Sequence, residues 1–180
     1  MSILKVTQMG HPVLRRVADS VLPGIIRSED FQRQVRDMQE TMVEYQGIGL
    51  AAPQVHVSAR LLVYRADSDD GAESEILTLV NPVIEPLGDE TEPGWEGCLS
   101  IPDIRGIVPR HRRIRVTSLD EEGEALEYTA EDFEARVIQH EVDHLDGILY
   151  FDRMDDLRTL TYQTEQEMYW IQPEVEDEDA

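Results

Sequence analysis

One pentapeptide, His140-Glu141-Val142-Asp143-His144, constrains the fold of this chain more than any other sequence feature. Residues four positions apart share one face of an α-helix, so a helix here lets both imidazoles bind one metal ion. Glu141 follows the first histidine, and a carboxylate at this position can act as general base on a metal-bound water. The alternative is two surface histidines beside an ordinary charge pair. Phe133 and Val137 continue the same face, which favours histidines that turn toward a core.

Start and stop signals around the pentapeptide predict a helix from about residue 129 to 146. Thr129 followed three residues later by Asp132 is a variant of the capping box, and Gly147 supplies a C-terminal stop. These signals place the histidine motif in the last two turns of the predicted helix.

Two further helices are predicted from apolar residues that recur at three- and four-residue steps. The first is capped by Ser28 and stopped by Gly47, and its apolar face comprises Phe31, Val35, Met38, Met42 and Tyr45. The second covers residues 155–171, where one side carries Leu157, Leu160, Thr164, Met168 and Ile171. Core packing is the interpretation that we adopt for the Met-rich face of the first helix.

Strands are predicted at residues 61–64, 76–80, 114–116 and 126–128. A mobile acidic surface loop is expected at 67–75, and a hairpin turn at 120–123. Helices and strands are mixed without regular alternation, which predicts an α+β fold. We expect one compact domain over residues 1–172, with antiparallel or mixed sheets around the central helix that carries the histidine motif, and with a C-terminal helix. Residues 173–180 are expected to form a disordered acidic tail.

The charge of the chain excludes several classes of function. Its 180 residues contain 38 acidic and 16 basic side chains, which gives a net charge of −22. Phosphate backbones and anionic lipids repel such a protein, so we expect no DNA partner and no membrane partner. No apolar run approaches the roughly 20 residues of a membrane span, and residues 1–6 lack a signal-peptide pattern. The single cysteine, Cys98, excludes an internal disulfide and suits the cytoplasm.

Five arginines crowd one short stretch of this acidic chain: Arg105, Arg110, Arg112, Arg113 and Arg115. The simpler interpretation is that they are solvated charges that pair with the excess of carboxylates. Contact with an anionic partner is the second interpretation.

A catalytic metal site needs a third protein ligand beside the two histidines. Glu165 on the last predicted helix is one candidate, although it is one of several acids on a polar face. Cys98 is the other, between Gly97, which removes bulk beside the thiol, and Pro102, which stiffens the chain that follows. A lone cysteine is more often a core residue, but a site with two histidines favours a thiolate as third donor.

The segment from Gly47 to Gln54 alternates small and apolar residues directly after a helix. Such a segment allows the backbone to pass close to a bound ligand, and Gln54 adds an amide donor. A tight helix-to-strand turn with a surface glutamine is the alternative.

Three segments together resemble the peptide deformylase family: residues 47–54, 96–100 and 139–144. Gly10-His11-Pro12-Val13-Leu14-Arg15 is also similar to its N-terminal segment, with His11 where an acidic residue is frequent. The resemblance covers about residues 3 to 160. Bacterial relatives can carry a basic terminal helix that docks on the ribosome, whereas this chain ends in acidic residues.

The resemblance implies removal of the N-formyl group from the initiator methionine of nascent chains, which releases formate. Cys98, His140 and His144 would hold a divalent ion and leave one position for water. Glu141 would take a proton from that water and return it to the leaving amine. Two donors would stabilise the oxyanion together with the ion: the side-chain amide of Gln54 and the backbone N–H of Leu99.

The resemblance also implies the substrate contacts. Ile48 and Gly49 would pair through their backbone with the extended peptide, and Arg105 would help to hold it. Phe133 and Val137, with His140, would line the methionine pocket, although both also suit an ordinary core. Glu96 and Asp143 are similar to residues that orient metal ligands.

The family implies Fe(II), while thiolate plus two imidazoles also suits Zn(II), Ni(II) or Co(II). The expected partners are N-formylmethionyl peptides and nascent chains, with transient proximity to the ribosome, and the expected state is a cytoplasmic monomer. Two alternatives remain: an H-E-x-x-H metalloendopeptidase with Glu165 as third ligand, and a structural metal or partner-binding domain in which Glu141 is dispensable.

Overall fold

A computed structural model of the chain describes residues 2–66 and 75–171. The predicted acidic tail at 173–180 and all but the last residue of the predicted loop at 67–75 lie outside these ranges. No helix within the two ranges is both long enough and apolar enough to cross a membrane.

The described residues form three α-helices and eight β-strands, together with short 3-10 turns. The helices are α1 (Glu29–Glu44), α2 (Asp132–Leu145) and α3 (Gln163–Tyr169). The strands are β1 (Gly49–Ala51), β2 (Leu61–Arg65), β3 (Ile76–Pro86), β4 (Thr91–Cys98), β5 (Ile101–His111), β6 (Arg113–Leu119), β7 (Ala125–Glu131) and β8 (Thr161–Tyr162).

The strands form two sheets in which every described pairing is antiparallel. A five-stranded sheet has the order β1-β2-β3-β6-β7, and a three-stranded sheet has the order β4-β5-β8. The predicted hairpin joins β6 to β7, and Gly123 supplies its positive φ of 84°. The α+β fold with a central motif-bearing helix and a C-terminal helix is therefore confirmed.

Helix α1 begins and packs as its sequence predicts but ends differently. The Ser28 side chain accepts a hydrogen bond from the Phe31 N–H, and the predicted apolar face is buried up to Met42. Tyr45 is exposed, so it is not part of that face. The positive φ after the helix is at Gln46 (55°) and not at Gly47, so the predicted glycine stop is wrong by one residue. A residue with positive φ ends the helix at Gln46 as it would have done at Gly47, because this conformation turns the chain away from the helix axis.

Helix α2 begins three residues later than the sequence predicts. Thr129 lies in β7 and pairs with Arg115, so it caps nothing, and the predicted capping box is wrong. The backbone N–H of Asp132 still donates to Arg112 O at 2.8 Å, which continues the strand pairing to the first residue of the helix. The sheet pairing thus outweighs the local capping signal. The predicted stop is correct, since Gly147 adopts a φ of 74°.

The C-terminal helix is much shorter than predicted. Thr161 and Tyr162 form β8 on the edge of β5, opposite Arg105 and Ile104, and α3 starts only after them. Most of the predicted apolar side, including Leu157 at 63% exposure, faces solvent. Gln166 is the residue of α3 that is buried. The helical spacing was misleading because the strand pairing of this segment takes precedence over its periodicity.

Helix α2 lies in the interior against β1, β2 and β5, and its last nine residues are all buried. Its apolar side chains join Tyr64, Leu79 and Val116 of the larger sheet in one core. The polar residues of the pentapeptide are thereby held in a low-dielectric environment, where unpaired charges are costly.

Candidate metal centre and active site

Three potential metal ligands meet where the end of β4 contacts α2. Cys98 is the last residue of β4, and His140 and His144 lie one turn apart on α2. Their donor atoms all lie within 4.8 Å of one another, and all three residues are buried. Cys98 Sγ is 3.2 Å from His144 Nε2, and the two imidazole centroids are 5.0 Å apart.

The donor set fits a single divalent ion. His140 uses Nδ1 for Glu96 Oε2 at 2.9 Å, which leaves Nε2 free for a metal. Bond lengths of about 2.3 Å to sulfur and about 2.0–2.1 Å to nitrogen require donors that lie within a few ångströms of each other, as these do. The neighbouring histidines lower the pKa of the Cys98 thiol well below its usual value, although burial alone would raise it. The site therefore favours the thiolate that metal binding requires.

Glu141 lies beside these ligands and faces the cleft. It is 4% exposed, and its Oε2 has no hydrogen-bond partner among the described residues. Burial raises the pKa of its carboxyl group to about 7. A carboxylate whose pKa is close to neutral is well matched to accepting and returning a proton.

Gly49 gives Glu141 the space that it occupies. A Cβ at position 49 would lie 2.7 Å from both Cγ and Cδ of Glu141. We expect Gly49→Ala to displace this carboxylate and to lower kcat by about 100-fold, the effect of roughly 1 Å of misplacement in an active site. Steady-state kinetics with a formyl-Met peptide checks this. Gly24→Ala is the matched control, since a Cβ added at position 24 would have no atom of the described residues within 4 Å. Equal activities of the two variants would contradict the expectation.

The side-chain amide of Gln54 faces the candidate metal ligand Cys98. Its Oε1 accepts a hydrogen bond from the Ala51 N–H at 2.8 Å, so its Nε2 faces Cys98 Sγ and Ser100 Oγ, both at 3.4 Å. Leu99 begins the two-residue turn between β4 and β5 and lines the cleft. Both candidate oxyanion donors are thus held close to the metal ligands.

A buried network of ion pairs, centred on Arg110, contacts the candidate metal ligand His140 through Glu96. Arg110 donates to both carboxylate oxygens of Glu96, at 2.9 and 3.0 Å, and to Asp143 Oδ2 at 2.5 Å. Arg136 also contacts Glu96, and Arg153 also contacts Asp143. Burial opposes ionisation of Glu96, but hydrogen bonds from His140 and Arg110 hold its pKa at about 2. A charged Glu96 fixes the orientation of the His140 ring.

Removing the arginine would leave two buried carboxylates underpaired. We expect Arg110→Met to lower the free energy of unfolding by about 3 kcal/mol, the low end for breaking a buried pair, because Arg136 and Arg153 remain. Urea denaturation measures this change.

Arg113→Met is the matched control for Arg110→Met. Its pair with Glu131 is more than half exposed on both sides, so we expect a loss below about 1 kcal/mol. Similar losses for the two variants would show that the buried network adds no more than a surface ion pair.

The cleft over the metal ligands has a volume of about 820 Å³ and is lined by every substrate-contact residue that the sequence analysis named: Ile48, Gly49, Arg105, Phe133 and Val137. Phe133 is half exposed and so is not a core residue, whereas Val137 both lines the cleft and joins the core.

The Ile48 carbonyl accepts from the Arg65 N–H at 2.8 Å. Because the N–H and C=O groups of successive residues in a strand point in opposite directions, the N–H and carbonyl of Gly49 point away from β2.

The structure bears on two of the alternatives that the sequence left open, the third metal ligand and the basic stretch. Glu165 is exposed on α3 and is not part of the metal-binding cluster found among residues 2–66 and 75–171. The exposed arginines of the basic stretch pair with acids, as the simpler interpretation predicted: Arg112 with Asp132 and Glu90, Arg113 with Glu131, and Arg115 with Glu85.

Sequence reasoning missed the roles of Arg110 and Arg136. Arg110 was interpreted as a solvated charge, but it is 5% exposed. The available signal was its position two residues after Val108, on the same face of one strand. Arg136 lies one turn before His140, lines the cleft and donates to the Val108 carbonyl at 2.7 Å. Its spacing on the motif-bearing face could have indicated this position.

Comparison with known proteins agrees with this geometry. The sequence model of the family described as Polypeptide deformylase matches residues 3–160. Peptide deformylase 1 of Bordetella pertussis is 46% identical over 161 residues, which cover 87% of this chain and 90% of that protein.

Solved structures give the same result. A crystal structure of class I type b peptide deformylase from Acinetobacter baumannii superposes with a TM-score of 0.80 at 37% identity, over 86% of this chain and 100% of that chain. A Met-Ala-Ser-bound crystal structure of that enzyme has a TM-score of 0.78 at 36% identity, over 85% and 99% of the two chains. The chain belongs to the polypeptide deformylase family, the metal-dependent hydrolases that remove the N-formyl group from N-formylmethionine at the start of nascent polypeptides.

Proposed function

We propose that Cys98, His140 and His144 hold the catalytic ion of this deformylase and that Glu141 moves the proton. The observation that carries this proposal is the buried cluster of one sulfur and two nitrogen donors beside a Glu141 oxygen that has no hydrogen-bond partner within residues 2–66 and 75–171. When bound, a divalent ion supplies Lewis-acid chemistry, which lowers the pKa of a water molecule from about 16 toward 7 and polarises a carbonyl.

The residues around this ion divide the reaction between them. Glu141 takes one proton from the attacking water as the water oxygen bonds to the formyl carbon. The Gln54 amide and the Leu99 N–H donate to the carbonyl oxygen while it carries negative charge. When the C–N bond breaks, Glu141 returns the proton to the methionine nitrogen. The carbon product is formic acid, which keeps the second proton of the water, and it leaves as formate once that proton passes to the free α-amine or to solvent.

We infer that the peptide lies along the free edge of β1. This strand is the outer one of its sheet among the described residues, and Gly49 turns its N–H and carbonyl to that edge. The exposed Ile48 side chain borders the peptide, and Arg105 holds it further along. Phe133 and Val137 line the pocket for the methionine side chain. A related enzyme with Met-Ala-Ser bound supports a peptide substrate for this cleft.

Fe(II) is the metal that we propose for the working enzyme, with Zn(II), Ni(II) or Co(II) able to replace it. A thiolate and two imidazoles suit each of these ions. Ferrous iron on a thiolate is sensitive to oxygen, and Cys98 would be open to oxidation in air.

The test is a formate-release assay on protein purified without oxygen, with the metal content measured on the same sample. We expect one divalent ion per chain, formate from formyl-Met-Ala-Ser, and no cleavage of internal peptide bonds. Exposure to air should lower activity and iron content together. Cleavage of an unformylated peptide without formate release would contradict the proposal and favour an endopeptidase.

The proposed setting is the cytoplasm, where the enzyme acts as a monomer on nascent chains as they leave the ribosome. A free buried thiol suits a reducing compartment. We propose that the catalytic domain ends at about residue 172 and that the acidic residues 173–180 take no part in catalysis. Sedimentation analysis tests the oligomeric state, and we expect a monomer. Measurement of kcat on a chain truncated after residue 172 tests whether the acidic residues are dispensable, and we expect kcat to be unchanged.

A further inference from the structure

The C-terminal segment contributes one residue to the wall of the active-site cleft. Strand β8 pairs with β5 at Ile104 and Arg105, and α3 begins directly afterwards at Gln163. Gln163 lines the cleft together with Arg105 and Cys98. It lies beyond residue 160, where the match to the family ends, so the family resemblance assigns it no role.

Gln163 holds the guanidinium group of Arg105. The Nη2 of Arg105 donates to Gln163 Oε1 at 2.7 Å, and its Nη1 donates to the Ile104 carbonyl at 3.3 Å. The guanidinium lies over Gly97, where a Cβ would collide with it. Since Gly97 precedes Cys98, these contacts fix the cation beside the metal ligands.

The amide of Gln163 is itself oriented. Its Nε2 donates to Glu167 Oε1 at 2.8 Å, one helical turn along α3, so its oxygen faces Arg105. The helix is anchored by the buried side chain of Gln166 and by an edge-to-face contact between Trp170 and Trp95 at 5.5 Å. Trp95 lines the cleft as well. The position of Arg105 therefore depends on how α3 is docked.

The chemistry of this contact distinguishes Arg105 from its neighbours. Arg110, Arg112, Arg113 and Arg115 each form ion pairs with carboxylates. Arg105 forms none in the ranges 2–66 and 75–171, and its side-chain partner there is a neutral amide. A neutral acceptor fixes the guanidinium in place without cancelling its charge.

We propose that Gln163 is a positioning residue that aims Arg105 at the peptide beyond the formyl-methionine. It acts through Arg105 and touches no reacting atom. The chemical class of the group that Arg105 binds is an oxygen acceptor of the peptide, a main-chain carbonyl or a carboxylate. The inference deepens the proposed function and rests on it.

The test compares two substrates, formyl-Met-Ala-Ser and N-formylmethionine amide, which lacks the chain after the first residue. For Gln163→Met we expect KM for the tripeptide to rise by about five- to tenfold, with kcat within about twofold. KM for the amide should stay within about twofold of the wild-type value, because that substrate does not reach Arg105. A rise in KM for both substrates alike, or a loss of kcat with KM unchanged, would overturn the proposal.

A double-mutant cycle tests whether Gln163 acts through Arg105. Gln163→Met should add nothing to the KM of an Arg105→Ala enzyme, because the two residues form one unit. An additive effect contradicts the proposal. Glu165→Gln, an exposed change on the same helix, is the matched control and should keep wild-type KM.

A second variant covers the case in which Gln163→Met disturbs the docking of α3. Glu167→Ala removes only the group that orients the amide, and it should raise KM for the tripeptide selectively but less. If neither variant shows a selective rise in KM for the tripeptide while the wild type is active, the inference is overturned. Absence of formate release by the metal-loaded wild type would instead contradict the proposed function, so the two failures are distinguishable.

Discussion

Cys98→Ser is expected to abolish stoichiometric metal binding and, with it, deformylation. Serine replaces a thiolate by a hydroxyl that stays protonated at neutral pH and is a weak ligand for iron or zinc. Loss of a residue that merely supports a ligand typically costs 10- to 100-fold in metal affinity, so loss of the ligand itself should cost more than about 100-fold. Metal analysis after gel filtration, with formate release measured on the same sample, checks both effects.

Glu165→Gln is the control that separates this expectation from the endopeptidase alternative. That alternative needs the Glu165 carboxylate as a ligand, whereas the side chain is exposed on α3. We expect Glu165→Gln to keep one ion per chain and full activity. A Cys98→Ser enzyme that retained metal and turnover, paired with a Glu165→Gln enzyme that lost them, would reverse the assignment.

Glu141→Gln is expected to leave the metal in place and to lower kcat by about 10²- to 10⁴-fold, the usual contribution of a general acid–base group. The glutamine keeps the volume beside Gly49, so the packing of the cleft is unchanged, but it cannot accept the proton. Steady-state kinetics and metal analysis on one preparation check that kcat falls while the metal content is unchanged.

The control for Glu141→Gln is Glu131→Gln at the exposed end of β7, which should leave kcat unchanged. Retention of full turnover by Glu141→Gln would exclude a catalytic role for this residue and favour a structural metal site. Equal loss of metal and activity would assign Glu141 to metal binding and not to proton transfer.

Local patterns sufficed wherever the deciding interactions were between neighbours in the chain. The cap at Ser28, the stop at Gly147 and the hairpin turn before β7 were predicted because each depends on a few consecutive residues. Boundaries failed where strand pairing intervened. Thr129 carries a capping signal and Thr161 lies inside a predicted helix, but Thr129 pairs with Arg115 across the β6–β7 hairpin and Thr161 pairs with Arg105 of β5. Hydrogen bonds of a ladder outweigh propensities of a few tenths of a kcal/mol per residue.

The ion pairs of Arg110 could not be predicted, because they join residues from different elements that only the fold brings together. An arginine in an alternating stretch is solvated in most proteins, and only the approach of Glu96 and Asp143 makes burial of Arg110 tolerable. The interpretation of the basic stretch was therefore correct for its exposed members, Arg112, Arg113 and Arg115, and wrong for Arg110 and for Arg105, whose side-chain partner among the described residues is the Gln163 amide.

The sequence by itself determined the two-histidine face and its adjacent carboxylate, since a helical repeat of 3.6 residues places them together in any fold that keeps α2 helical. It also carried the family resemblance that pointed to Cys98. Tertiary structure alone decided that β4 delivers Cys98 to that face, that Gly49 leaves room for Glu141, and that α3 holds Arg105 in the cleft. These are contacts between residues dozens of positions apart, and their geometry follows from sheet pairing and core packing rather than from neighbouring residues.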